Sequence, residues 1–157
     1  MSALTSGRKG RFPVALLLAG LLLFGGAASG VAVGSDDLGP RRTMLALTND
    51  DRAAYDRRNL DFADRLARYA KEHSEAMARK GYLFHSTEDQ LLAALDGYTW
   101  DLGGENVGVG GSLESLEDAF MASELHRENI LRPEFRHAAI GIAREDDAIW
   151  ITVIFYG

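Results

Sequence analysis

The clearest pattern in this chain is an amphipathic stripe over residues 59–80. Apolar positions recur there at three- and four-residue spacings, and charged residues occupy the other faces, as in a helix with one face in a core. Gly81 stands where a helix-ending glycine is favoured. We therefore predict the main helix here, and we predict His73 as a packed residue of its core-facing stripe, which consists of Phe62, Leu66, Tyr69, Ala70, His73, Ala76 and Met77.

Three further helices are predicted from residues that favour helix N-termini. Serine and threonine side chains accept hydrogen bonds from the free N–H groups of a first turn, and acidic residues there suit the helix dipole. These signals predict helices over residues 50–57 after Thr48, over 88–95 after Ser86 or Thr87, and over 113–122 after Ser112.

The last third of the chain changes to a strand pattern. Residues 123–131 read as a turn and a short helical piece, which Pro133 closes. Residues 138–143 then alternate as a strand, and 148–156 form a strong β-run after the acidic turn at 145–147. Helices followed by an antiparallel pair predict an α+β fold with helices packed on a small sheet.

The N-terminal segment has the order of a secretory signal peptide. Basic residues at 8–11 precede an uncharged apolar run at 14–24, and small residues follow over 25–34. Small residues at both required positions place candidate cleavage sites after Gly30 or Gly34.

A retained membrane anchor is the alternative interpretation of the same segment. Residues 14–33 carry no charge and have about the length that a spanning helix needs. In both cases the basic end stays inside and the remainder is exported. We therefore expect a signal peptide or anchor over 1–34, a linker over 35–42 and one domain over 43–157, located outside the cell or in its envelope.

Charge and cysteine content narrow the possible partners. The chain has 17 basic and 23 acidic residues, and without the leader the balance is 14 against 23. No basic patch stands out, which argues against nucleic acid and against an anionic lipid surface as partners. Membrane contact is expected only through the N-terminal segment. Because the chain has no cysteine, no disulfide stabilises it and the domain relies on its core.

Three ionisable residues lie where apolar segments give way to polar turns. Glu105 stands in the glycine-rich, β-like run 103–109, with His85 twenty residues before it and His126 twenty-one after it. Such turns gather at one end of a layered domain, so we expect these three side chains to meet. Glu124 is a weaker fourth candidate because of its closeness to His126.

Several chemistries fit this set. Two imidazoles with carboxylates could bind zinc or another divalent cation, with His85 and His126 as ligands. They could instead form an acid–base cluster with Glu105 as the base, or a structural hydrogen-bond network, which the lack of an HxH or HExxH spacing favours.

Other polar residues receive lesser roles. Ser86 or Ser123 could act as a nucleophile with His126 and Glu105, but neither lies in a G-x-S-x-G elbow. Asn106 and Asn129 are predicted as structural amides that bind the backbone, and His137 is predicted at the surface.

Four motifs in order give the chain a family resemblance. Together they resemble the CAP superfamily (cysteine-rich secretory proteins, antigen 5 and pathogenesis-related 1 proteins), in its bacterial SCP-domain type, over roughly residues 43–157. The motifs are Phe84-His85-Ser86, Gly104-Glu105-Asn106, the run from Ser123 to Pro133, and Ile140-Gly141-Ile142 with the closing aromatic strand.

The resemblance implies a three-layer α-β-α sandwich with a small antiparallel sheet and a central cavity lined by His85, Glu105 and His126. Zinc or calcium is associated with that cavity in the family, and eukaryotic members are linked to sterol or lipid binding. The chain departs from those members in lacking disulfides and a confident second acidic residue, since Glu124 lies where bacterial relatives commonly have proline or glycine.

Two functional hypotheses follow. The first is an exported, non-enzymatic domain whose polar His–Glu cavity binds a divalent metal or a small hydrophobic or envelope ligand. The second is a metal-dependent or acid–base hydrolase of the cell envelope, with Glu105 as base.

Overall fold

A computed structural model describes residues 38–157, which contain five helices and four strands. The predicted signal peptide or anchor lies outside the described residues. Between residues 38 and 157, no helix is both long enough and apolar enough to cross a membrane. The elements are α1 (Leu38–Ala54), β1 (Asp61–Phe62), α2 (Asp64–Lys80), α3 (Glu88–Ala94), β2 (Gly103–Gly110), α4 (Leu113–Ala122), α5 (Glu124–Leu131), β3 (His137–Glu145) and β4 (Ala148–Tyr156).

The four strands form one sheet between two helical layers, in the order β1-β3-β4-β2. Side chains of α1, α4 and α5 pack on one face of the sheet, and those of α2 and α3 pack on the other. Successive residues of β4 pack against the two helical layers alternately, because strand side chains alternate between faces. Phe155 packs in the core with α1, α4 and α5, and Ile154 packs in the core with α2 and α3. The structure thus confirms the α-β-α sandwich.

Close contact between α2 and β3 sets the distance between two of the layers. A side chain at Gly141 would collide with the α2 backbone, since its Cβ would lie 2.0 Å from the carbonyl carbon of Ala70. The hydroxyl of Ser74 donates at this contact, with the Gly141 carbonyl oxygen 3.0 Å away and Thr152 Oγ1 2.9 Å away. Glycine at 141 therefore lets the helix lie directly on the strand.

The first helix differs from its prediction. It begins at Leu38, inside the predicted linker, rather than near residue 50. Pro40 is tolerated there because N–H groups in a first helical turn need no helical partner. Thr48, predicted as an N-cap, is internal and buried, and its hydroxyl donates to Glu117 of α4.

The start of α2 also differs from its prediction, and this changes the strand directions in the sheet. The predicted helix began at residue 59, but α2 begins at Asp64. Asp61 and Phe62 instead pair in parallel with His137 and Ala138 of β3, so the sheet is mixed rather than wholly antiparallel.

Most other predicted elements are confirmed within a few residues. Gly81 ends α2 in the left-handed conformation with φ of 71°. Thr87, not Ser86, caps α3 in a reciprocal arrangement with Gln90, and Ser112 caps α4. The β3–β4 hairpin is present and β3 is longer than predicted, and the glycine-rich run is a full strand of eight residues.

Candidate functional site

The Glu105 carboxylate is buried and fully held by the loop that follows α2. Its side chain is 3% exposed, and its backbone is paired with Ile154 of β4. Oε1 accepts hydrogen bonds from the His85 ring at 2.8 Å and from the Ser86 backbone N–H at 2.9 Å. Oε2 accepts from the Ser86 hydroxyl at 2.7 Å. These three bonds compensate the cost of burying the carboxylate.

The hydrogen bond to Glu105 also determines which nitrogen of the His85 ring carries the proton. An ionised carboxylate only accepts, so Nδ1 of His85 carries the proton. Within residues 38–157, Nε2 of His85 has no hydrogen-bond partner and is not fully buried. The side chain is 13% exposed, which leaves Nε2 as the atom that a ligand could reach.

A second set of polar groups from α2 supports Ser86. The Tyr69 hydroxyl donates to Ser86 Oγ at 2.9 Å. The His73 ring donates from Nε2 to the Phe84 carbonyl at 2.8 Å, and its Nδ1 lies 3.5 Å from Ser86 Oγ. Burial is the main cause that raises the pKa of Tyr69, so its hydroxyl stays protonated and able to donate.

His126 approaches the site from α5. The side chain is buried, and its ring centroid lies 5.0 Å from that of Phe120. Burial lowers the pKa of His126, and the nearby His85 lowers it further. His126 is therefore neutral at neutral pH, and its buried Nδ1 has no hydrogen-bond partner in the described part of the chain. The two imidazoles are close enough to interact electrostatically.

Two asparagines attach α5 to the edge strand β2. Asn106 Nδ2 donates to the His126 carbonyl at 3.1 Å, and Asn129 Nδ2 lies 2.9 Å from Asn106 Oδ1 and 3.4 Å from the Glu105 carbonyl oxygen. A side chain at Gly104 would place its Cβ 2.8 Å from Asn129 Oδ1. Glycine at 104 thus admits the amide that holds α5, and with it His126, against the strand.

Some predicted candidates lie apart from this cluster. Glu124 is exposed and borders a separate surface pocket with residues such as Arg127 and Arg132. Ser86 belongs to the cluster, but its hydroxyl donates a hydrogen bond to Glu105, so it is not arranged as a nucleophile activated by His126. His137, predicted at the surface, is partly buried with its ring centroid 4.7 Å from that of Tyr156.

Sequence reasoning missed the polar roles of Tyr69 and His73. Both occur on the apolar stripe of α2, so the helical period assigned them to packing. His73 is indeed buried, yet both of its ring nitrogens face polar atoms. The sequence signal for these polar roles was the presence of a tyrosine and a histidine four residues apart on the apolar stripe.

The cluster offers fewer metal ligands than a typical zinc site. Among residues 38–157, no group of three or more His, Cys, Asp or Glu side chains could hold an ion. Catalytic zinc sites use three protein ligands and structural sites use four. What this site offers is two neighbouring imidazoles, one of them oriented by a carboxylate in the manner usual for metal-binding histidines.

Comparison with known proteins gives a consistent family assignment. Residues 45–155 match the CAP family, described as the cysteine-rich secretory protein family. The chain is 30% identical over 115 residues to the uncharacterized protein YkwD of Bacillus subtilis, an alignment that covers 69% of this chain and 44% of YkwD.

Two solved structures resemble the fold. An extracellular SCP-domain protein from Bacillus anthracis superposes with a TM-score of 0.62 at 25% identity, covering 73% of this chain and 39% of that one. An outer surface protein from Borrelia burgdorferi gives a TM-score of 0.64 at 19% identity, covering 78% of this chain and 95% of that one. The chain spans less than half the length of the two Bacillus proteins.

Proposed function

The chain belongs to the CAP (cysteine-rich secretory protein) family, and we propose that it is an exported, non-enzymatic domain that binds its ligand through the imidazoles of His85 and His126. Of the structures with a similar fold, one is described as an extracellular protein with an SCP domain and another as an outer surface protein. Those descriptions, with the signal-like leader, support a location outside the cell or in its envelope.

The observation that carries the proposal is the enclosure of the Glu105 carboxylate. Both of its oxygens accept hydrogen bonds from His85 or Ser86 and the side chain is 3% exposed, so Glu105 is poorly placed to take a proton from a substrate. Its task is to fix the His85 ring with Nε2 turned away from the carboxylate. The reactive surface of the site is therefore imidazole nitrogen, which binds metals and hydrogen-bonds to polar ligands.

A divalent cation such as zinc is the simplest ligand for this surface. His85 and His126 would hold it, and Glu105 would orient His85 from behind. Two protein ligands make an exchangeable site, in which the ion completes its coordination with water or with a group on an envelope or small hydrophobic ligand. The metal would supply Lewis acidity toward that group when bound.

The hydrolase hypothesis is less well supported by this geometry. A general base must reach the proton that it removes, whereas Glu105 is enclosed by its own donors. If catalysis occurs, His85 is the better base, with Glu105 in the orienting role that a carboxylate has beside a catalytic histidine. Activity on an envelope substrate that survives Glu105→Gln would rule out Glu105 as the base.

Calorimetric titration of the full chain with zinc tests the binding proposal. His85→Ala and His126→Ala each remove one ligand, and we expect each to weaken zinc binding by at least about tenfold. Glu105→Gln keeps the shape but removes the charge, and loss of such an orienting group weakens metal binding by about 10- to 100-fold.

His137→Ala is the matched control, because His137 is a histidine outside the cluster, packed against Tyr156. It should bind zinc as the wild type does. Equal heats for the wild type, His85→Ala and His126→Ala would refute a zinc site. Unchanged zinc binding in Glu105→Gln together with a lowered melting temperature would assign Glu105 a purely structural role.

A further inference from the structure

An open groove lies between one face of α2 and the loop that follows α3. Its volume is about 470 Å³, which falls within the range of about 300–1,000 Å³ typical of ligand pockets. We call it the α2 groove and define it by its polar and aromatic lining, Arg65, Arg68, Tyr69, Glu72, Asp96 and Tyr98.

Arg65 is held in place on one wall of the α2 groove. Its guanidinium carbon lies 4.6 Å from the centre of the Tyr98 ring, and its Nε donates to the Tyr98 hydroxyl at 3.3 Å. Gly97, with φ of +78°, turns the loop beside the guanidinium. Because Nε is used and the ring supports the plane, the terminal NH₂ groups remain for a ligand and little ordering entropy is lost on binding.

The other charged groups of the α2 groove do not neutralise one another. Within residues 38–157, no hydrogen bond or ion pair engages the side chains of Arg68, Glu72 or Asp96. Arg68 and Glu72 are four residues apart on one helix, a spacing at which pairing is common. The groove thus presents unpaired guanidinium donors beside unpaired carboxylate acceptors, which suits a ligand with a carboxylate and an ammonium group.

A chain of hydrogen bonds leads from this groove to the His–Glu site. Tyr69 lines the groove, and its hydroxyl donates to Ser86 at 2.9 Å. Ser86 donates to Glu105 at 2.7 Å, and Glu105 accepts from His85 at 2.8 Å. A ligand that moves the Tyr69 ring changes the donors of the carboxylate that orients His85.

We propose that the α2 groove is a second ligand site, which binds a short peptide with free amino and carboxyl ends, and that Tyr69 is the positioning residue that links its occupancy to His85. A peptide rather than a single amino acid is favoured by the size of the groove. The link to His85 rests on the proposed function, whereas binding in the groove does not.

Nuclear magnetic resonance titration of the full chain tests binding. The probes are trialanine with free ends, its N-acetyl form, its C-terminal amide, and alanine. Free trialanine should shift the backbone amides of Gly97 and Tyr98. Blocking either end should weaken binding by about tenfold, the scale expected for loss of one charge-assisted contact. Alanine has both charged ends but is shorter than the groove, and it should also bind more weakly than trialanine. Equal affinity for all four probes would overturn the proposal.

Arg68→Gln should weaken trialanine binding by about tenfold as well. Arg79→Gln is the matched control, an exposed arginine at the end of the same helix and outside the groove. Equal binding by the two variants would overturn the assignment of the α2 groove, even if zinc binding at the histidines succeeds.

The link is read from the ring nitrogen resonances of His85. In the wild type they should shift as trialanine binds. Tyr69→Phe keeps the ring but removes the hydroxyl that donates to Ser86. At saturating trialanine, followed at the amides of Gly97 and Tyr98, it should lose the shift at His85, which a merely structural role would not separate. Ser86→Ala breaks the next bond while leaving Tyr69 in the groove, and it should lose the same shift. A His85 response that persists in both variants would overturn the link.

Discussion

Glu117 makes the stability of this domain depend on pH. It lies on α4 facing α1 and is 3% exposed. Burial is the main cause that raises its pKa to about 8, the Thr48 hydroxyl opposes the shift, and the charges of Asp51 and Asp118 add to it. At neutral pH the carboxyl group is therefore largely protonated in the folded state.

The sign and size of the effect follow from linkage. Between pH 4.5 and about pH 8 the unfolded state has released the Glu117 proton while the folded state still holds it, so the free energy of unfolding falls as the pH rises through this window. At about 1.4 kcal/mol per pH unit, this titration lowers the free energy of unfolding by about 3 kcal/mol at pH 7 and by at most about 5 kcal/mol above pH 8.

Glu117→Gln removes the titration and still offers an oxygen to Thr48. Urea denaturation of wild type and variant at several pH values between 4.5 and 9 isolates Glu117 together with its coupling to Asp51 and Asp118, because titrations of groups that do not interact with Glu117 cancel in the difference. We expect the variant to gain stability over the wild type by about 3 kcal/mol or more from the lower pH to the higher one.

Glu114→Gln is the matched control, since Glu114 is an exposed glutamate on the same helix. Its difference from the wild type should not change appreciably with pH. A Glu117→Gln difference that stays constant between pH 4.5 and 9 would refute the reasoning.

Two further substitutions test the packing that positions the site. Arg52 is fully buried and donates to the carbonyl oxygens of Arg58, Ile130 and Arg132. Arg52→Met should therefore destabilise the fold by about 3 kcal/mol or more in urea, because these carbonyls lose their partner; a loss under ~1 kcal/mol would contradict this. Gly104→Ala should cost about 1–3 kcal/mol and lower the melting temperature, because its Cβ would lie 2.8 Å from Asn129 Oδ1, whereas Gly111→Ala, in open space, is the neutral comparison.

The elements that could be predicted are those whose signals are local. The stripe of α2, its glycine stop and the β3–β4 hairpin follow from periods of 3.6 and 2 that a short window displays. The first helix was misjudged because its buried face carries Thr48 and Arg52, which look like surface residues. They are buried because Glu117 and the carbonyls near residues 130–135 satisfy them.

The candidate site also has a part that could be predicted from the sequence and a part that could not. That His85, Glu105 and His126 lie near predicted turns is visible along the chain, and their family resemblance adds the expectation of a shared cavity. In the structure only His85 lies in a loop, whereas Glu105 lies within β2 and His126 within α5. Which atoms meet is not visible. The Ser86 hydroxyl points to Glu105 only because the loop between α2 and α3 meets β2, and Glu124 points away because helix α5 turns it outward.

The sequence by itself determined the family, the order of the helices and of strands β2 to β4, and the three side chains at the centre of the candidate site, because each depends on residue type and spacing. Only the tertiary structure decided that β1 joins the sheet, that Glu117 is buried, and that the Glu105 carboxylate is hydrogen-bonded to His85 and Ser86. These last features depend on contacts between residues far apart in the chain, and the local sequence pattern does not indicate which partner each polar atom has.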